Sequence, residues 1–323
     1  MGYRHLYAIV LLVCLLIGMG LVYMYNRITY GEGNRETISF AVEYNVHSAA
    51  FWIALDKGYF REYGIEISYR TFTTGLELAV AMGRGDIDVA IACIGPLIVM
   101  KARGSPIKLV AMTHLHGYAV VAIDGIDDIR DLDGKTISSS GPGSPTWLLL
   151  NIIAEKYGLD LSIHRMPPYM AVNALLSRDI DASALPEHYA TMASRLGAHV
   201  VIRSQDVWRD MPGSGVIVSE DLLYSRRDVV IGVVKALARA IQFIRENPVE
   251  ASRIVAKYLS VDQDLVLESM KYLDYTLDIN VSSISQYIDY LVKYGAIDHC
   301  FPIDSFIDMS ILGEVFESVN ETI

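Results

Sequence analysis

The sequence predicts an α/β protein of two like lobes, with mostly parallel sheets, a hinge of two crossing strands and a helical C-terminal part. Three observations carry that expectation. Two segments recur at an offset of about 93 to 94 residues: "YGIEIS" (Tyr63–Ser68) matches "YGLDLS" (Tyr157–Ser162), and "AMGRGDIDVAIACI" (Ala81–Ile94) matches "ALLSRDIDASALPE" (Ala174–Glu187), with Asp-Ile-Asp in register. Each copy runs helix, glycine, short alternating strand, second helix, then Asp-Ile-Asp into a strand of small residues. Such βα alternation makes a parallel sheet with helices on its faces, and the period is too long for a solenoid. After Arg226 the pattern becomes helical to the end of the chain.

At 323 residues and 52% hydrophobic, the chain has apolar material for one large core or two modest ones. Its 27 Lys and Arg against 38 Asp and Glu leave a formal charge of −11. Without a basic run to displace counterions, nucleic acid is excluded as a partner.

Taken in order, Leu6–Tyr25 ("LYAIVLLVCLLIGMGLVYMY") is an uncharged apolar run of the length that spans a bilayer. Arg4 and His5 precede it and no small-residue cleavage site follows. Residues 1–27 are therefore read as an uncleaved membrane anchor, with the chain beyond Arg27 outside the cytoplasm; a cleaved signal segment is the alternative. Cys14 does not fit a lipoprotein site, because Val13 is not the small residue required before it. Residues 28–36, including "YGEGNR", read as a tether. Outside the anchor only Cys93 and Cys300 remain, which supports neither a disulfide framework nor a cysteine-based metal site.

Lobe 1 is expected over 37–116 plus 217–323, and lobe 2 over 117–216. "HGYAVVAID" (His116–Asp124) and "GSGVIVSED" (Gly213–Asp221) bracket the second copy and are the expected crossings, which make a hinge. A long amphipathic helix from Asp228, a restart at Asn247-Pro248, and further helices near Asp262, Ser283 and Asp304 should pack on lobe 1 and buttress the cleft.

Open α/β sheets bind ligands beyond the carboxyl ends of their strands. In the first copy the loops there are "YNVHSAAFW" (Tyr44–Trp52), Thr73-Thr74-Gly75 and "CIGP" (Cys93–Pro96). In the second they are "SSSGPGSPTW" (Ser138–Trp147) and "LPEHY" (Leu185–Tyr189). The second set opens with chemistry that can be tested on spacing. A nucleophile elbow needs glycine two before and two after the serine, but Ser144 has Pro142 and Thr146 there. A dinucleotide fingerprint lacks its third glycine at Thr146, and no Gly-Lys-Ser/Thr ending makes a P-loop. What remains is a helix start, with Ser144 as N-cap and Pro145 at the first helical position. Its free N–H groups suit a polar or anionic group, and Ser48 sits at the equivalent start in lobe 1. The candidate ligand-binding residues are His47, Ser48, Thr73, Thr74, Cys93, Ile94, Gly95, His116, Gly143, Ser144, Thr146 and Glu187, with Trp52, Trp147, Tyr44 and Tyr169 suited to a heterocyclic body.

"ALDKGYFREYGIEISY" (Ala54–Tyr69) resembles the signature of solute-binding proteins of ABC importers in the nitrate, sulfonate, taurine and thiamine-precursor group. "GRGDIDVAIACIGP", "DLDGKTISSSGPGS", "LLSRDIDASALPE" and "RENPVEASRIVAKYL" follow in that group's order, so the likeness covers roughly Ile38 to Leu259. It implies a type II periplasmic-binding-protein fold, a small solute held between hinged lobes, and delivery to a permease driven by a cytoplasmic ATPase. The implied place is the extracytoplasmic face of the membrane, with no cofactor and no catalytic residue. One departure stands in lobe 2: Pro186-Glu187-His188 occupies the place of a Glu-Pro pair.

Two other classes compete. The fold also serves biosynthetic enzymes of the thiamine-pyrimidine and menaquinone type, but the dense cysteine motif of the pyrimidine-making branch has no counterpart here. A metal-binding receptor would draw on His47, His114, His116, Glu187 and His188, since histidine and carboxylate from separate loops coordinate zinc.

Overall fold

A computed structural model describes residues 36–320. The expected anchor, Cys14 and all of the expected tether before Glu36 lie outside them; no helix among the described residues is long and apolar enough to cross a membrane.

The eleven described strands are β1 (Glu36–Glu43), β2 (Ile65–Phe72), β3 (Val89–Cys93), β4 (Ile107–His116), β5 (Tyr118–Ala122), β6 (Thr136–Ser139), β7 (Ser162–Arg165), β8 (Ala182–Pro186), β9 (His199–Arg203), β10 (Pro212–Ser219) and β11 (Leu273–Asp274). They form two sheets, in the orders β11-β4-β10-β3-β1-β2 and β7-β6-β8-β5-β9. The repeat becomes matched geometry. Helices Gly75–Gly83 and Pro168–Leu176, strands β3 and β8, and helices Ile94–Ala102 and Glu187–Arg195 have equal lengths pairwise and share one offset of 93 residues. The second aspartate of each Asp-Ile-Asp does the same work: Asp88 Oδ2 accepts from the Ser39 N–H at 2.8 Å, and Asp181 Oδ2 accepts from the Thr136 N–H at 2.8 Å.

The expectation of mostly parallel sheets is corrected to mixed ones. β1 pairs parallel with β3, and β6 with both β7 and β8. β10 runs antiparallel to β3 and β4, and β5 antiparallel to β8 and β9. The reversal follows from the crossings. The chain passes between sheets directly after β4, and returns as β10 beside β4, so each passage inserts a strand opposed to its neighbours. The first exchange point is Gly117, and the second lies between β9 and β10. At the first, His116 has φ 62° and Gly117 φ 89°. A left-handed histidine is uncommon, and here the reversal between sheets requires it.

β3 and β8 are buried along their whole length, as strands covered by helices on both faces must be. β5 shows the period of two inside one strand. Tyr118, Val120 and Ala122 enter the core on one face of the second sheet, while Ala119 and Val121 enter the core on the other. The first sheet has a larger core, into which Leu148 and Ile152 of lobe 2 also pack. Ile38–Ile323 is accordingly one compact unit.

The C-terminal helices do more than pack on lobe 1. Helix Arg227–Glu246 lies on Ala49–Asp56, but helix Gln263–Met270 packs on Glu187–Arg195 of lobe 2. Arg195 bonds Glu268 at 2.8 Å and Asp262 at 3.1 Å, and Glu155 of lobe 2 accepts from Lys293 and Tyr294.

Candidate functional site

Two parallel strands end side by side in lobe 1 and set the first half of the site. β1 ends at Glu43, where Asn45 turns the chain by accepting from the His47 N–H at 2.9 Å. β3 ends at Cys93, the N-cap of helix Ile94–Ala102. Glu43 joins the two ends: its Oε1 accepts from the Cys93 N–H at 3.1 Å and the thiol at 2.8 Å, and its Oε2 accepts from the Asn45 amide at 3.2 Å. A Cβ at Gly75 would collide with Glu43 Oε1, so the carboxyl also lies against the start of helix Gly75–Gly83, capped by Thr74. Two helix N-termini thus meet one buried acid, which their dipoles favour in its charged form. Burial outweighs this and pushes the Glu43 carboxyl above its ordinary range.

Lobe 2 supplies a chain of hydroxyls. Ser144 Oγ accepts from the Trp147 N–H at 3.2 Å as the N-cap of helix Pro145–Tyr157. It lies 3.1 Å from Thr146 Oγ1, which accepts from the Ser140 N–H at 3.1 Å. Gly141 and Gly143 hold φ of 112° and 85°, conformations that side chains with a Cβ rarely adopt.

Between the halves lies a cavity of about 20 Å³, room for one water-sized group. Its walls include Glu43, Asn45, Thr73, Thr74, Gly75 and Cys93 from lobe 1, and Tyr118, Ser140, Ser144, Thr146 and Pro186 from lobe 2. Leu76 and Pro96 are shared with a wider groove of about 640 Å³, which continues past Pro142, Arg165 and Ala296.

Of the residues expected from sequence, Thr73, Thr74, Cys93, Ser144 and Thr146 line the cavity. His47 and Ser48 are buried behind it, and the Ser48 hydroxyl has no partner. Ile94 and Gly95 begin their helix in full burial, with Gly95 facing the backbone of Gly143 across the lobes. His116 and Glu187 are off the lining. His116 sits at the crossing, 3.5 Å from Asp274, while Glu187 pairs with Arg203 at 3.2 Å and accepts from Thr191. Glu187 begins its helix where Ile94 begins the matching one, so its side chain turns into lobe 2 rather than across. Three aromatic candidates are also elsewhere: Trp52 stacks on Tyr258 at 5.2 Å, Trp147 meets Tyr294 edge-on, and Tyr169 is exposed; Tyr44 is half-buried between the lining residues Glu43 and Asn45 without lining the cavity itself.

Glu43, Asn45, Tyr118 and Ser140 are lining residues that the sequence reading did not single out. Glu43 carried a signal: it closes the strand "ISFAVE", and a carboxylate ending a buried apolar strand needs a partner. Tyr118 and Tyr287 converge on the same acid from β5 and from helix Val281–Lys293; the Tyr118 hydroxyl lies beside the Cys93 thiol, the Tyr287 hydroxyl is buried without a partner, and both are held protonated chiefly by burial.

The histidines proposed as metal donors do not converge as a set. His47 and His114 face each other with ring centroids 4.6 Å apart, and His188 stacks on Tyr189. Burial lowers His47 and His188 to about 4, and takes His114 well below its ordinary value. All three rings are neutral at pH 7. The Cys93 thiol is raised well above its usual range, by burial first and the Glu43 charge second, so it is no activated nucleophile.

The model of the NMT1/THI5-like family matches residues 45–251. A protein of Brucella abortus described as a binding protein is 27% identical over 222 residues, covering 65% of this chain and 67% of its own. Among solved structures, the ligand-binding component of an ABC-type import system from Staphylococcus aureus, with zinc bound, superposes with a TM-score of 0.78 at 20% identity, covering 87% of this chain and 99% of that one. The periplasmic nitrate-binding protein NrtA from Synechocystis PCC 6803 gives 0.79 at 13% identity, with coverages of 87% and 88%.

Proposed function

Since the chain belongs to the NMT1/THI5-like family, we propose that it is the extracytoplasmic solute-binding component of an ABC importer. It captures a small polar solute between its lobes and hands it to a permease served by a cytoplasmic ATPase. The observation that carries this reading is the shared cavity: helix starts capped by Thr74 and Cys93 in one lobe and by Ser144 in the other meet around it. A solute touching both lobes binds the closed form better and shifts the population toward closure.

The reading includes no chemistry on the solute. An activated thiol has a lowered pKa, whereas burial and the Glu43 charge raise the Cys93 thiol well above its usual range, and Ser144 caps a helix. Glu43 also narrows the solute. It already fills the N–H of the lobe 1 helix start, so an oxyanion has its welcome at the lobe 2 start and meets a carboxyl on the facing wall. A solute with a donor or cationic end toward lobe 1 and an acceptor end toward lobe 2 fits best.

Native mass spectrometry of the full chain, extracted in detergent, tests the proposal. The expected result is one small molecule per chain, released unchanged on denaturation. A chain that carries and takes up none, or returns a transformed compound, would overturn it.

A further inference from the structure

We propose that the floor of this cleft is a three-ligand site for a borderline divalent cation, zinc by its donor set, formed by Glu43, His47 and Cys93. It rests on the reading of the cleft as a binding site and adds the class of ligand. The three ligand atoms lie within 4.8 Å of one another, and all three residues are buried. Zinc bound through thiolate, imidazole and carboxylate sits 2.0 to about 2.3 Å from each, so a modest spreading of the Glu43–Cys93 contact admits it.

The orientation of His47 is the independent sign. Its Nε2 stands 2.8 Å from the Gly117 carbonyl, which fixes Nε2 as the protonated nitrogen and leaves the Nδ1 lone pair free. That Nδ1 is buried and has no partner, in a residue with no exposed surface. A metal-ligating histidine usually donates its other N–H to such a carbonyl. A buried acceptor left unpaired costs stability, and a cation removes the cost.

Charge also balances. The thiol gives up its proton to solvent, as does any protonated Glu43 carboxyl, and thiolate plus carboxylate neutralise the dication in a site that would not hold an unpaired charge. Glu43 and Cys93 both line the cavity. The remaining coordination position therefore faces it, as in zinc sites that keep one place for a small ligand.

The test uses the full chain with zinc chloride and cobalt chloride as probes. After loading and desalting, elemental analysis should find one zinc per chain. Cobalt should give a thiolate-to-metal charge-transfer band in the near ultraviolet. That band should vanish in Cys93→Ser and persist in Cys300→Ser, because Cys300 is an exposed thiol outside the cluster. His47→Gln should weaken zinc binding at least tenfold. Should these buried variants fail to fold, the wild-type chain still decides: its thermal midpoint should rise with zinc and fall back with a chelator. No stoichiometric zinc, or a charge-transfer band that survives Cys93→Ser, overturns the inference. If native mass spectrometry nevertheless finds an organic solute, the solute-binding reading stands without the metal; if both fail, both fall.

Discussion

Gly95 of lobe 1 and Gly143 of lobe 2 meet backbone to backbone: a Cβ on Gly95 would lie 2.5 Å from the Gly143 carbonyl oxygen and would also strike the Tyr287 hydroxyl. Real Cβ atoms do not approach that closely, so the lobes come together here only because Gly95 has no side chain. Gly95→Ala should hold them apart, and its methyl should also disturb lobe 1, where it meets the buried Tyr287 hydroxyl. Solute affinity should fall at least tenfold by calorimetry, with some lowering of the unfolding midpoint from the Tyr287 clash. Native affinity in this variant would show that the contact is not part of the bound state.

Asp88 and Asp181 hold equivalent places, with one bond more on Asp88, whose Oδ2 also accepts from the Ser39 hydroxyl at 2.7 Å. Each half-buried carboxylate accepts from a strand N–H of its own lobe at 2.8 Å. Replacing either with alanine should cost about 1.5–3 kcal/mol, the range for a hydrogen bond to a charged group. Urea unfolding of the two single variants checks this; a loss confined to one would break the equivalence of the repeat.

Ser144→Ala removes the acceptor for the Trp147 N–H and a neighbour of Thr146. Loss of such a cap should lower stability by about 1 kcal/mol. Thr146→Leu places bulk in a cavity with room for one water-sized group and should abolish binding with a smaller effect on folding. Equal affinity in both variants would leave this segment as a capped helix and no more.

Acid should destabilise the protein through its buried histidines. His188 titrates near 4 when folded, against about 6.5 when unfolded, because burial disfavours its charged form. Above pH 6.5 both states are neutral. As pH falls from 6.5 to 4 only the unfolded chain takes the proton, so stability drops by up to roughly 3 kcal/mol for this group. The raised Glu43 and Glu187 carboxyls act in the opposite direction, since the folded state holds their protons more tightly as pH falls. Comparing wild type with His188→Gln cancels those terms. The variant's slope of stability against pH across this window should be shallower by up to about 1.4 kcal/mol per unit; identical slopes would mean that His188 protonates freely in the fold.

The repeat was legible because each copy is local: a strand, its glycine, a helix and Asp-Ile-Asp leave the same print wherever they occur. Ser144, Thr146, Thr73 and Thr74 were legible for the same reason, since strand ends and helix starts can be read along the chain. Glu43 was not. Its partners are Cys93, one strand away, and the Gly75 backbone, and neither pairing has a spacing rule. Tyr287 was less legible still, because it reaches the cleft from a C-terminal helix whose periodicity marks only its buried face. His116 lies off the lining because the turn between sheets sends its side chain to Asp274, a consequence of pairing between strands that no spacing along the chain marks.

The chain should close on its solute. Small-angle scattering of the full chain measures that directly, with and without the molecule that native mass spectrometry identifies. The radius of gyration should be smaller at saturation in the wild type, with a blunted change in Gly95→Ala. An unchanged radius at saturation in the wild type would contradict it.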